Sequence, residues 1–262
     1  MPEAGSFSGA ALLRSFSITA ERKDCPMDDY TTRTAALIGP EGMTALQNAS
    51  VAVIGLGGVG GSCAEALARC GVGRLILMDH DTVDVTNVNR QLFATSETVG
   101  MAKTDAARQR LLAVNPRLQL VLLPAFYGEE TKDAFFSLEP DLVIDAIDTV
   151  TAKLHLAAEC RSRGIPLVQC LGTGNRMDPS LFRLGKIEDT AGCGCGLARV
   201  MRRELKRRGL SGQDVVYSVE EPRIVTMQDS NGRHPPASIS FCPPVAGYLL
   251  ASWAVKKLLG LL

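Results

Sequence analysis

The residues best placed to do chemistry begin with a glycine cluster, Gly55-Leu56-Gly57-Gly58-Val59-Gly60, directly after the apolar run Val51-Ala52-Val53-Ile54. Between a strand and a helix, Gly55, Gly57, Gly58 and Gly60 allow a tight turn, close backbone approach to a phosphate, and tight helix packing. The helix start offers unpaired N–H groups and a partial positive charge to an anion. Asp79 comes 19 residues after Gly60, at the end of the next apolar run. A carboxylate there can bind ribose hydroxyls. This implies a nucleotide without choosing it, because NAD and FAD enzymes carry the same fingerprint.

Later residues choose. The polar stretch from Asp79 to Gln91 holds Asp81, Asn87 and Arg90, and Lys103 lies on the helix that follows. Hydride transfer needs no cations there. Splitting ATP at its α-phosphate does, because negative charge builds on the phosphorus oxygens and on the departing pyrophosphate. Asp148 follows the apolar run Leu142 to Ile147 and falls at the carboxyl edge of the sheet. That suits Mg²⁺, which takes one or two carboxylates together with phosphate oxygens and water. Taken singly, Arg90 or Lys103 reads as a solvated charge, and Asp145 or Asp148 as a cap on the helix beginning near Thr151. Their joint spacing favours a site.

The elements that must position these groups follow from periodicity. A short helix over Thr34 to Leu37, a turn at Gly39-Pro40 and a helix over Glu41 to Gln47 lead into a strand at Val51 to Ile54. Helices are expected over Ser62 to Cys70, Gly100 to Val114, Glu129 to Leu138 and Thr151 to Arg163, and strands over Arg74 to Met78, Leu118 to Leu123, Leu142 to Ile147 and Pro166 to Cys170. Such alternation makes an α/β fold, a Rossmann-like doubly wound and mainly parallel sheet, with a C-terminal antiparallel extension and helices. Residues 171 to 195 read as Gly-rich and irregular. A basic helix over Leu197 to Arg208, short strands near Arg223 to Met227 and Ser238 to Phe241, and a closing helix follow. Residues 1–28 read as a disordered extension in which Met27 can be the initiator, and 29–262 as one domain, with a nucleotide-binding core over 29–170.

The 28 basic and 28 acidic side chains cancel, so no global field gathers nucleic acid or anionic membrane. The apolar run Val245 to Val255 is about half the roughly 20 residues a membrane helix needs, and reads as a buried helix. No export signal is recognisable at the N-terminus. Eight cysteines, with no Cys-x-x-Cys, suit reduced thiols in the cytoplasm rather than structural zinc.

Gly55 to Gly60, Asp79-x-Asp81, Asn87-Val88-Asn89-Arg90-Gln91, Val99-Gly100 with Lys103, and Asp141 to Asp148 resemble the ordered motifs of the ThiF/MoeB/HesA superfamily of adenylating enzymes. The resemblance implies an ATP site of Gly58, Asp79, Asn87, Arg90, Lys103 and Asp148. Asp79 would hold the ribose, Arg90 and Lys103 the phosphates, and Asp148 the magnesium. Leu171-Gly172-Thr173-Gly174-Asn175-Arg176-Met177-Asp178-Pro179, Val216-Tyr217-Ser218 and the Pro243-Pro244-Val245-Ala246-Gly247 turn are similar to the tRNA threonylcarbamoyladenosine dehydratase branch.

That branch implies adenylation of a threonine carboxylate on modified tRNA, ring closure with release of AMP, a homodimer, and a possible sulfur-transfer partner protein. The alternative within the superfamily activates a ubiquitin-like sulfur carrier ending in Gly-Gly, whose enzymes carry the paired Cys-x-x-Cys that this chain lacks. A catalytically silent nucleotide-binding module and an NAD oxidoreductase remain as the other classes. Cys193 and Cys195 are candidates for a reactive thiol. On the basic helix, Arg199, Arg202, Arg203 and Lys206 share one face and are the candidate tRNA contact, opposite an apolar stripe of Ala198, Met201 and Leu205.

Overall fold

A computed structural model describes residues 30–226 and 236–262. The expected disordered extension over 1–28 lies outside the described residues. The first strands, β1 (Ser50–Ile54) and β2 (Arg74–Met78), are parallel neighbours, Val51 beside Leu75 and Ile54 beside Met78. β3 (Gln119–Leu123) joins the far side of β2, while β4 (Leu142–Asp145) and β5 (Leu167–Cys170) continue from β1. β6 (Phe182–Lys186) and β7 (Asp214–Ser218) complete a seven-stranded sheet of order β3-β2-β1-β4-β5-β7-β6, with β7 parallel to β5 and β6 antiparallel to β7. The chain therefore reverses its direction of growth at β1, which opens a crevice between the carboxyl ends of β1 and β4.

Both faces of this sheet are covered, which explains why its strands read as unbroken apolar runs. Side chains alternate across a strand. Val51, Val53, Leu75 and Leu77 pack on one face with α2 (Gly58–Cys70), α3 (Lys103–Val114) and α7 (Cys242–Leu258). Ala52, Ile54, Ile76 and Met78 pack on the other with α4 (Lys132–Phe136), α5 (Val150–Arg163) and α6 (Gly196–Arg207). The entry helix α1 (Thr32–Asn48) bends where expected, at Gly39 (φ 75°, ψ 172°) before Pro40.

Several elements differ from expectation. Helix α2 starts at Gly58, ahead of Ser62, because its glycines supply the close contacts described below. Helix α3 starts at Lys103, since Gly100 is left-handed (φ 86°) and turns the chain first. Helix α4 is shorter than 129–138, because the Thr131 hydroxyl and its backbone form a turn with Phe126 and Gly128. The segment 171–195 is not wholly irregular, for it contains β6. The strands expected near Arg223 to Met227 and Ser238 to Phe241 do not form over 223–226 and 238–241; Met227 lies outside the described residues. Instead, Arg223 N donates to Asn175 O (2.9 Å), and Asn175 N donates to Ala237 O (2.8 Å), so both segments flank a loop through single backbone bonds. The antiparallel extension is thus built from β6. The double proline sits in the first turn of α7, where a missing N–H costs nothing. Among the described residues no helix is long and apolar enough to cross a membrane.

Candidate active site

The phosphate loop is a steric construction. Gly55 has φ 89°, and a Cβ on it would lie 2.6 Å from the Ala146 carbonyl oxygen; a Cβ on Gly60 would overlap the Gly55 carbonyl oxygen. A Cβ on Gly58 would lie 2.9 Å from Pro243 and 3.1 Å from the Arg90 carbonyl oxygen. Glycine is therefore required for packing as well as for the turn. Gly57 precedes α2 with no side-chain cap, which leaves the first N–H groups of the helix available to an anion.

Asp79, at the end of β2, is bound to this loop directly. Its Oδ2 accepts from Leu56 N (2.6 Å) and its Oδ1 from Asp81 N (2.9 Å), so the carboxylate is oriented and retains lone pairs for further donors. Lys103, the first residue of α3, is buried and donates to Asp81 Oδ2 (2.6 Å), 4.0 Å from Asp79 Oδ2. The Lys103 N–H also donates to Asp81 O (3.0 Å), so the loop and α3 arrive together. Ligand atoms of Asp79, His80 and Asp81 lie within 4.8 Å of one another, but both carboxylates already serve these bonds.

Arg90 is half-buried, and burial pulls its guanidinium below the usual arginine range. Its Nη1 donates to Thr86 O (3.0 Å) and Asn89 Oδ1 (2.9 Å), with its backbone against Gly58. Asn87 Oδ1 accepts from Asp84 N (3.1 Å), so this side chain first of all shapes the loop that carries Arg90. Asn89 Nδ2 donates to Ser238 O (3.1 Å), a tie between this loop and the C-terminal segment that the sequence did not suggest.

Neither aspartate after β4 caps α5, whose N-cap is Thr149 with no side-chain bond. Asp148 is exposed and, among the described residues, accepts only a long bond from Thr149 Oγ1 (3.3 Å). Asp145 is buried instead: its Oδ1 accepts from Lys153 Nζ (3.0 Å) and Ile147 N (2.9 Å), and its Oδ2 from Gln169 Nε2 (2.7 Å). Lys153 also donates to Cys170 O (2.7 Å), which links β4, α5 and β5 beneath the crevice. Sequence reasoning missed Lys153 and Gln169, and it noted Arg176 only within a motif. Arg176 is buried, and its Nη2 makes a 3.4 Å contact to Cys193 O.

Two other groups of candidates are now placed. Cys193 is buried, and Cys195 Sγ accepts from Ala198 N (3.4 Å) at the start of α6. On α6, Arg202 turns inward to Thr190 Oγ1 (2.9 Å), so it leaves the exposed face expected for it. Its ring of neighbours is organised by Glu204, which pairs with Arg203 (3.2 Å), Arg207 (2.8 Å) and Arg208 (2.6 Å). Arg199 and Lys206 stay exposed. The apolar stripe Ala198, Met201 and Leu205 is buried as expected.

The ThiF family profile matches residues 30–261. The chain belongs to the ThiF family. This ThiF-family chain is 42% identical over 241 residues to tRNA threonylcarbamoyladenosine dehydratase of Bacillus subtilis (strain 168), covering 87% of this chain and 94% of the relative. It is also similar to the crystal structure of E. coli tRNA N6-threonylcarbamoyladenosine dehydratase in complex with ATP, with a TM-score of 0.78 and 33% identity, covering 87% of this chain and 93% of that one. Likeness to the molybdopterin-synthase adenylyltransferase of E. coli, 36% identical over 138 residues, covers 53% of this chain and 54% of the relative.

Proposed function

We propose that this ThiF-family protein uses ATP to adenylate the threonine carboxylate of threonylcarbamoyladenosine in tRNA, and then lets the modification cyclise with loss of AMP. The observation that carries the reading is the extent of likeness. It spans 94% of a curated dehydratase but only 54% of a sulfur-carrier-type adenylyltransferase. In support of the first half-reaction, the uncapped start of α2 would offer an anion site, the oriented Asp79 carboxylate would meet a ribose, and Arg90 and Lys103 would bring positive charge.

In this reading the N–H groups at the start of α2 hold phosphate oxygens, Asp79 orients the ribose, and Asn87 keeps the Arg90 loop in place. The substrate carboxylate attacks the α-phosphorus; its O–P bond forms as the α,β bond breaks and pyrophosphate leaves. Arg90 and Lys103 face the charge that develops, the term that usually dominates such catalysis. Lys103 is held ready by Asp81 (2.6 Å). In the second step the carbamoyl oxygen attacks the mixed anhydride and AMP departs. Both nucleophiles belong to the substrate, so positioning is the protein's main contribution, and no protein thiol is needed.

Asp148 fits a magnesium ligand, because it is exposed and only weakly engaged. Mg²⁺ bound there would neutralise phosphate charge, with most of its ligands coming from phosphate and water. A homodimer in the cytoplasm, with a sulfur-transfer partner protein, completes the proposal as the family resemblance implies it. The test is AMP and pyrophosphate release from Mg-ATP, with tRNA bearing the threonylcarbamoyl group compared with tRNA lacking it. Release only with the modified tRNA is expected. Release driven instead by a small protein ending in Gly-Gly would move the chain to the sulfur-carrier reading.

A further inference from the structure

Arg176 is 3% exposed, yet its Nε and Nη1 are buried with no hydrogen-bond partner among the described residues. Its one polar contact is the 3.4 Å approach of Nη2 to Cys193 O. Arginine stays charged in proteins, and sealing a guanidinium from water without partners for its donors is strongly unfavourable. Native structures match nearly all buried polar groups, so this exception asks for a partner that arrives from outside.

The backbone on either side is fixed rather than loose. Asn175, at φ 60°, donates through N to Ala237 O (2.8 Å), accepts from Ala237 N at Oδ1 (2.8 Å) and accepts from Arg223 N at its carbonyl (2.9 Å). Met177 N and Asp178 N both donate to the Glu220 carboxylate (2.9 and 3.0 Å). Two acidic neighbours are committed elsewhere, Glu220 to these amides and Asp178 to Ser180 N (2.8 Å), while the Glu221 carboxylate lies beside Gly194 and bonds neither Nε nor Nη1 of Arg176. Among the described residues no side-chain oxygen bonds Nε or Nη1, so the guanidinium has donors to offer an anion.

Its place in the sheet says which anion. Across the adjacent strands β2, β1, β4 and β5, the carboxyl ends lead to Asp79, the phosphate loop, Asp148 and the loop bearing Arg176, in that order. Neighbouring strands lie about 4.8 Å apart. Ribose, phosphates and magnesium ligand occupy the first three, so the acyl substrate must approach the α-phosphorus from the β5 side. Burial pushes the Cys242 thiol up and the Arg176 charge offsets this in part; the next residue, Pro243, is the one seated on Gly58.

We propose that the Arg176 guanidinium receives the carboxylate of the acyl substrate and positions it for adenylation. The planar donor set of arginine suits a carboxylate and has no comparable fit to the uncharged carbamoyl group or base. The proposal rests on the adenylating reading above. The other oxyanions within reach of such a site are phosphates, of ATP or of the tRNA backbone, and the experiment separates all three.

Arg176→Met and Arg176→Lys are compared with the wild type in ATP binding alone, in binding of tRNA with and without the threonylcarbamoyl group, in steady-state AMP release, and in thermal unfolding without ligands. For Arg176→Met, the KM for modified tRNA rises about 10- to 100-fold, as for loss of hydrogen bonds to a charged group. Its preference for modified over unmodified tRNA collapses, ATP affinity stays within about 2-fold, and the unliganded Tm is unchanged or higher because an unmatched buried charge has gone. Arg176→Lys recovers part of the KM effect. Weakened ATP binding would assign the residue to the nucleotide phosphates, and an equal loss with unmodified tRNA would assign it to the tRNA backbone. A lowered Tm with uniform losses would make it structural; each of these three outcomes overturns the proposal. A wild-type enzyme that releases no AMP with modified tRNA would strike the parent reading, whereas a normal wild type beside an unaffected Arg176→Met strikes only this one.

Discussion

Lys153 and Arg176 are both sealed cations, 0% and 3% exposed, set around the end of the same strand, β5. Lys153 reaches Asp145 Oδ1 at 3.0 Å and Cys170 O at 2.7 Å, and Gln169 occupies the remaining carboxylate oxygen. Arg176 has one long contact and two unmatched nitrogens. The first arrangement holds together three elements of the fold; the second leaves donors unmatched among the described residues. Burial by itself therefore does not separate a structural charge from a functional one, whereas the accounting of partners does.

Lys153→Met gives the largest expected effect. Removing one partner of a buried pair leaves Asp145 uncompensated and costs about 3–5 kcal/mol of stability, read as a lowered urea midpoint. A loss below about 1 kcal/mol would erase the contrast with Arg176. Lys103 is the intermediate case, buried itself but paired with an exposed Asp81. Lys103→Ala should slow AMP release about 10²- to 10³-fold, as for loss of a group that stabilises transition-state charge, while stability falls by less than about 1 kcal/mol. A stability loss matching that of Lys153→Met would place Lys103 with the structural cations.

The smallest effect belongs to the exposed charges of α6. Glu204 already engages Arg203, Arg207 and Arg208, leaving Arg199 and Lys206 with no ion pair among the described residues. Arg199→Glu with Lys206→Glu should weaken tRNA binding about 10-fold and flatten its salt dependence by roughly 1.5 in log–log slope, with ATP binding unchanged. Unaltered tRNA binding would remove α6 from the substrate surface.

Much of this arrangement was legible because it is local. The apolar runs of β1 and β2 announce strands buried on both faces, and the spacing of Asp79, Asp81 and Lys103 survives as direct bonds. The start of α2 was not legible, because Gly58 to Gly61 are poor helix formers by propensity and are helical for reasons of packing. Strand β6 hid because Phe-Arg-Leu-Gly-Lys is short and half-exposed, and acquires its strand identity from β7. Taken singly, Asp145 or Asp148 could have been a helix cap, and nothing local pointed to the bonds that Lys153 and Gln169 make with Asp145. The burial of Lys153 and Arg176 was invisible for the same reason: what covers them is assembled only when distant segments meet.

Helix α7 lies along α2, with Gly247 against the Val59 carbonyl and Pro243 against Gly58. The phosphate loop is therefore roofed by a helix that lies far from it in the sequence. Chains fold from the N-terminus as they leave the ribosome, so the nucleotide half can assemble while its phosphate loop still lacks that roof. The anion site is thus composite in sequence, and a substitution at Pro243 would reach the phosphate loop without being part of it.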